Sequence, residues 1–185
     1  MTITTIAEAN DHMDKALASL AHEFSSVRTG RASSTLLEKL TVEYYGAPTP
    51  LLQIASVSVP EPQLLVITPY DRTAIKAIEK AILSSDLGLN PANDGQVIRL
   101  PFPPLTEERR RELVRLCRHY AEEARVAVRN IRRDLNEHLK HLQKAGEISE
   151  DELHRQENEV QKATDEHIRA IDEMVKRKEE EIMEV

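Results

Sequence analysis

The amino-acid sequence predicts an α+β protein, an elongated antiparallel three-helix bundle with an inserted small β/α/β domain on a two-strand hinge. Three observations lead there. All nine prolines fall between Pro48 and Pro104, and proline removes a helical donor and clashes with the preceding turn, so the flanks are open to long helices and the middle is not. Both flanks space their apolar residues at three- and four-residue steps, the period of an amphipathic helix. The middle holds short β-branched runs bounded by proline or glycine, the pattern of strands. The predicted domains are 1–30 with 105–185 for the bundle and 31–104 for the insert.

Taken in order, Ile6, Met13, Leu17, Leu20, Phe24 and Val27 form the apolar stripe of a first helix, with Asp11, Asp14, Lys15 and His22 between them. It is expected to end near Gly30, since glycine accepts the left-handed conformation that closes helices. In the insert, Leu40–Tyr45, Leu52–Val59 and Gln63–Tyr70 read as strands. Asp71 reads as the cap of a short helix over 72–84 burying Ile75, Ile78 and Ile82, and Val97–Phe102 as a last strand. After Pro103-Pro104, Thr106 reads as an N-cap with Glu107 and Glu108 at the positive end of the helix dipole. The helix that follows places Leu113, Cys117, Tyr120, Ala124, Ala127, Ile131, Leu135, Leu139 and Leu142 on one seam and stops at Lys144-Ala145-Gly146. Ser149-Glu150-Asp151-Glu152 is a capping box, and Leu153, Val160, Ala163, Ile168, Ile171, Val175 and Ile182 line a returning helix. Three matching seams make a bundle. Two crossings between the domains, at Gly30-Arg31 and Pro103-Pro104-Leu105, make a hinge.

Composition narrows the function. No stretch approaches the roughly 18 apolar residues of a membrane span, and Met1-Thr2-Ile3-Thr4 lacks the basic start of a secretory signal, so a cytoplasmic protein with no membrane partner is expected. Cys117 is the single cysteine, which excludes an internal disulfide and suits a reducing compartment. The formal net charge of -7 argues at first sight against a nucleic-acid partner. Resolved along the chain, it is a cancellation. Between Arg109 and Arg133 stand nine arginines and three acids, whereas residues 147–185 hold fourteen acids and six bases.

Within the arginine-rich segment, Arg111, Arg115, Arg118, Arg125, Arg129 and Arg132 follow three-, four- and seven-residue steps, with Glu122 in the gap. They form one stripe, expected roughly opposite the core seam, where the acidic helix does not easily neutralise it. Charged stripes also keep long helices soluble and pair with neighbouring acids. The exclusive use of arginine favours phosphate, because the planar guanidinium offers a fork of donors that matches phosphate oxygens. With six aromatic residues in the chain and only Tyr120 on this helix's inner face, folded RNA read by shape fits better than a single strand stacked on rings.

Other constellations carry less. His138 and His141 share a helix face but lack further ligands, so no metal or other cofactor is expected. The carboxylate runs Glu107-Glu108 and Glu179-Glu180-Glu181 sit at helix ends as caps or solvated ends. The segments Leu87–Pro91 and Asn93-Asp94-Gly95 read as turns or an exposed loop. There is no glycine-rich phosphate cradle and no nucleophile elbow, so no catalytic residue is assigned.

Five segments, in order and along the whole chain, resemble the ribosome recycling factor family: Arg28-Thr29-Gly30-Arg31-Ala32-Ser33, Val42-Glu43-Tyr44-Tyr45-Gly46, Asp86-Leu87-Gly88-Leu89-Asn90-Pro91, residues 103–110 (Pro103-Pro104-Leu105 into Arg109-Arg110) and residues 124–134 with Arg125, Arg129, Arg132 and Arg133. The resemblance implies a non-enzymatic translation factor that, with elongation factor G and GTP, splits the post-termination ribosome and releases messenger RNA and deacylated transfer RNA. Its partners would be the large ribosomal subunit, its ribosomal RNA and elongation factor G, and off the ribosome it would be a monomer. By the same similarity, Arg110, Arg129 and Arg132 contact ribosomal RNA, with Arg28 and Arg31 near the hinge; Arg118 and Arg125 join them as members of the stripe. A competing reading is a coiled-coil interaction module whose arginines only solvate it.

Overall fold

The computed structural model describes residues 2–184. The chain divides into two compact units, one formed by the residues up to Arg28 and from Glu107 onward, the other by Thr29–Thr106.

The first unit contains three long helices: α1 (Ile6–Ser26), α4 (Glu107–Lys144) and α5 (Glu150–Met183). The 38 residues of α4 give a rod of about 57 Å at 1.5 Å per residue. Ile3 and Ala9, at the start of α1, pack with Leu135 and Leu139 late in α4 and with Leu153 and Val160 early in α5. α1 therefore runs parallel to α5 and antiparallel to α4. The Thr5 hydroxyl caps α1 by accepting from the Glu8 N–H at 3.2 Å, while the Glu8 carboxylate accepts from the Thr4 N–H at 2.8 Å. α1 ends at Ser26, before the Gly30 expected to close it, because Val27 is already extended. Between α4 and α5 the Gly146 N–H donates to Gln143 O and the Glu147 N–H to Leu142 O, with Gly146 at φ 74°; this is the Schellman closure. The Ser149 hydroxyl then accepts from the Glu152 N–H at 3.1 Å, the expected cap.

The bundle core differs in detail from the expected seam. On α4, Ala121 and Val128 are fully buried, whereas Tyr120, Ala127, Ile131 and Leu142 are half-buried. On α5, Ile168 is half-buried and Thr164 takes a core position. Thr164 satisfies its hydroxyl by donating to Val160 O at 2.8 Å, which removes the penalty of burying it.

In the second unit, β1 (Thr41–Tyr44) and β2 (Ala47–Pro50) form a hairpin. Its two-residue loop has Tyr45 at φ 50° and Gly46 at φ 76°, the left-handed pair that matches strand twist. β2 was not expected, since Pro48 and Pro50 read as breakers. They occupy alternate positions opposite Glu43 and Thr41, so their missing donors face away from the ladder. The expected strand over 52–59 begins late. Leu51–Ile54 is a helical turn, α2, because one turn buries Leu51 and Ile54 together, and the strand proper is β3 (Ala55–Glu61). β3, β4 (Leu64–Pro69), β6 (Ile98–Pro101) and the short β5 (Ala92–Asn93) make an antiparallel sheet in the order β3-β4-β6-β5. Asp71 caps a 3-10 turn over Arg72–Ala74 that leads into α3 (Ile75–Ser84). Leu65, Ile67, Ile98 and Leu100 from the sheet share one core with Ile75, Ile78 and Ile82 of α3 and with Leu37, Val42 and Leu51.

Candidate nucleic-acid interface

At 3.6 residues per turn, the stripe of Arg111, Arg115, Arg118, Arg125, Arg129 and Arg132 lies about 100° round α4 from the line of Cys117, Ala121, Val128 and Leu135. It is on the flank beside α5, not opposite the core, and the acidic helix does reach it. This corrects the expectation that the stripe stands clear of neutralisation. Arg118 sends Nε and Nη2 to the two carboxylate oxygens of Glu179 at 2.6 and 3.3 Å. Arg125 directs Nε and Nη2 at Asp172 Oδ1, at 3.0 and 2.6 Å. Arg132 Nη1 donates to Gln161 Oε1 at 3.3 Å. The physical reason is reach: a guanidinium on a flank bridges to the adjacent helix, and a bidentate carboxylate fits its fork.

The electrostatics follow the contacts. The hydrogen bond and charge of Glu179 raise the pKa of Arg118. Partial burial works against the charge on Arg125, but Asp172 and Glu122 outweigh it, and its pKa is raised too. The Arg125 side chain is only 22% exposed, so it serves as a tie between α4 and α5. Arg129 is more open, and its Nη1 meets Glu122 Oε1 at 3.3 Å. Elsewhere on α4, Arg111 pairs with Glu107 and Arg109 with Glu112. Arg115 and Arg133 have no ion-pair partner among the described residues.

Arg110 stands on a different line, above the core seam. It is half-buried and donates from Nη1 to Met183 O at 3.3 Å. Its Nε is buried without a partner among the described residues, leaving a donor unsatisfied at the end of the bundle. Arg28 and Arg31 are exposed. Thus Arg118, Arg125, Arg129 and Arg132 are brought into one row along α4, and Arg110 is not part of it. Sequence reasoning missed Asp172 and Gln161 altogether and named Glu122 and Glu179 without pairing them to the row; the signal was present, since Arg118 to Arg125 and Glu179 to Asp172 are both seven-residue steps.

The expected hinge residues have a definite local setting within Thr29–Thr106. Gly30 is at φ +77°, and a Cβ there would lie 3.2 Å from Leu105 Cγ. Two residues on, the Ala32 N–H donates to Pro62 O at 2.8 Å, and the Phe102 N–H donates to Gln63 O at 2.8 Å. Both segments are fastened to the turn between β3 and β4. Pro103 and Pro104 are exposed, and Leu105 is half-buried.

His138 and His141 line an open hollow with Thr2, Asp134 and Glu137, yet no group of three or more His, Cys, Asp or Glu suited to a metal ion occurs among the described residues. The Asn93–Gly95 segment is a tight turn. The Asp94 carboxylate accepts from the Val97 and Gln96 N–H groups and from Arg99, which lowers its pKa to about 2. No helix among the described residues is long and apolar enough to cross a membrane.

The profile of the ribosome recycling factor family matches residues 20–183. The ribosome-recycling factor of Geobacillus kaustophilus (strain HTA426) is 61% identical over 185 residues, covering 100% of both chains. That of Bacillus cereus (strain G9842) is 59% identical over 97% of each. A solution structure of the ribosome recycling factor is similar with a TM-score of 0.76 at 47% identity, over 96% of this chain and 94% of that one. A second similar chain comes from models for the T. thermophilus ribosome recycling factor and the E. coli elongation factor G bound to the E. coli post-termination complex; its TM-score is 0.62 at 54% identity, over 96% of each chain. With the same fold and more than half of its residues shared with full-length relatives, this chain belongs to the ribosome recycling factor family.

Proposed function

We propose that the protein is a translation factor, not an enzyme, that works in the cytoplasm with elongation factor G and GTP. It splits the post-termination ribosome into subunits and frees messenger RNA and deacylated transfer RNA. The observation that carries this reading is full-length similarity to a factor placed with elongation factor G on a post-termination complex. The chemistry agrees: an arginine row on a long helix follows a phosphate backbone.

In this reading the bundle anchors the factor. Arg110, Arg129 and Arg132 contact large-subunit RNA, assisted by Arg28 and Arg31, while Arg118 and Arg125 stiffen the row through Glu179 and Asp172. Gly30, Arg31, Pro103, Pro104 and Leu105 form the hinge through which the insert moves when the GTPase acts. A helix bundle without proline or interior glycine transmits a push without kinking. Off the ribosome the factor is a monomer.

The test is a subunit-splitting assay with elongation factor G and GTP. Wild type cosediments with large subunits, with affinity falling in log-log salt slope by roughly 0.7 to 0.9 per phosphate contact. Arg132→Ala loses splitting while keeping its far-ultraviolet helical signal. Retained splitting by that variant would remove Arg132 from the interface, and absence of wild-type cosedimentation would remove the function.

A further inference from the structure

The arginine row contains one acid, and its geometry sets it apart from the others on α4. Glu122 uses both carboxylate oxygens: Oε2 accepts from Arg125 Nη1 at 3.2 Å and Oε1 from Arg129 Nη1 at 3.3 Å. Arg125 is already tied through Nε and Nη2 to Asp172. The result is a ladder, Asp172, Arg125, Glu122, Arg129, alternating in sign from α5 out to the open side of α4. Arg125 is the buried rung at 22% exposure, whereas Asp172 and Glu122 on either side of it are 55% and Arg129 is 42% exposed. Asp172 alone occupies two of the donors of the Arg125 fork, so that tie does not depend on Glu122. What Glu122 uniquely engages is Arg129, more exposed than Arg125 and two helical turns further along.

We propose that Glu122 is a built-in competitor for the phosphate that Arg129 binds, and that it thereby sets the selectivity and reversibility of RNA anchorage. This rests on the reading of the row as an RNA interface. A phosphate approaching Arg129 must displace or lie beside the Glu122 carboxylate, and two anions sharing one guanidinium repel. An RNA that also engages the neighbouring arginines offsets that repulsion with several simultaneous contacts. A duplex that meets Arg129 with one or two phosphates does not. The acid therefore weakens casual RNA binding more than binding to a matched surface, which is selectivity by repulsion. It also speeds release, because the carboxylate is at hand to take back the guanidinium as each phosphate leaves.

The experiment compares wild type, Glu122→Gln and Glu123→Gln on two probes: isolated large ribosomal subunits and an unrelated RNA duplex, across a salt series. Glu123 is the control. It carries the same charge one residue away but pairs with His119 at 3.2 Å on another side of the helix. Glutamine keeps the shape and one of the two acceptor oxygens while removing the charge, and its amide NH2 cannot accept from a guanidinium. Glu122→Gln is expected to bind the duplex about two- to fivefold more tightly, the range for losing one exposed ion-pair partner, and the subunits by a smaller factor, with slower release. The duplex salt slope steepens by about 0.7 to 0.9, one further effective phosphate contact. Glu123→Gln leaves both unchanged. Unchanged or weaker duplex binding by Glu122→Gln overturns the proposal, and so does an equal gain from Glu123→Gln, which would make the effect one of net charge. If wild type fails to bind subunits, the functional reading falls separately, while the duplex arm still decides what Glu122 does.

Discussion

Replacing Gly30 by alanine isolates a local constraint inside the unit formed by Thr29–Thr106. Two penalties add there. The backbone is held at φ +77°, a left-handed conformation that costs an L-residue about 1–2 kcal/mol. The new Cβ would also stand 3.2 Å from Leu105 Cγ and 3.5 Å from Leu105 N. Leu105 is half-buried, so its side chain yields by a few tenths of an ångström, at a further cost of about 1 kcal/mol, the low end for overpacking. Gly46 supplies the reference, since it has φ +76° with nothing within 4 Å of an added Cβ and lies in the same unit. Gly46→Ala is therefore expected to cost about 1–2 kcal/mol and Gly30→Ala about 2–3 kcal/mol. Urea unfolding followed by tyrosine fluorescence reports on this unit, because Tyr44, Tyr45 and Tyr70 lie in it and only Tyr120 lies in the bundle. Adding Leu105→Ala to Gly30→Ala should recover most of the excess, beyond the cost of Leu105→Ala alone, as contacting sites are non-additive. Equal costs for Gly30→Ala and Gly46→Ala would refute the claim that Leu105 closes on Gly30. Two values near zero would refute the left-handed backbone itself.

Two further outcomes are expected. The folded pKa of Asp94 is lowered to about 2, first by the Val97 and Gln96 N–H groups and then by Arg99, so its contribution is complete above the ordinary carboxylate value near 3.9 and is lost as pH falls toward 2; Asp94→Asn should lower stability at neutral pH and flatten the acid limb of a denaturation profile between about pH 4 and pH 2. Cys117 is fully buried, and burial raises its thiol pKa; a thiol-reactive dye should label it only as fast as the bundle opens, and labelling at the rate of a free cysteine peptide would contradict the core.

The long helices were legible because each requires only local periodicity and end chemistry. Ser149 with Glu152, and Lys144 before Gly146, announce the turn between α4 and α5 without reference to any other element. The hairpin partner β2 was not legible, because Pro48 and Pro50 are breakers unless their donors point away from the ladder, and that depends on register with Glu43 and Thr41. The helical turn at Leu51–Ile54 was hidden for a similar reason: its two buried positions serve a core completed by Ile67 and Ile98, both distant in sequence. The arginine row was found as a row but placed on the wrong side. A seam and a stripe each read as straight lines in sequence, and the angle between them, about 100°, appears only when both are wound at 3.6 residues per turn. Once that angle is known, Arg125 reads as a tie to Asp172 and not as an open phosphate ligand.

The spacing of the interhelical ties also bears on how α4 and α5 find their alignment. Arg118 and Arg125 are one heptad apart and meet Glu179 and Asp172, also one heptad apart. Slid by seven residues, Arg118 would face Asp172 and Arg125 would face Asp165, and the same opposite charges would meet again. The ion pairs thus hold the two helices together without choosing between these two alignments. The choice falls to the closed turn at Gly146 and to the cap at Ser149, which leave no slack for a slide. Lengthening that turn by a heptad would give the charges a second, equally satisfied arrangement, in which the arginine row keeps its pairs while every apolar contact behind it is changed.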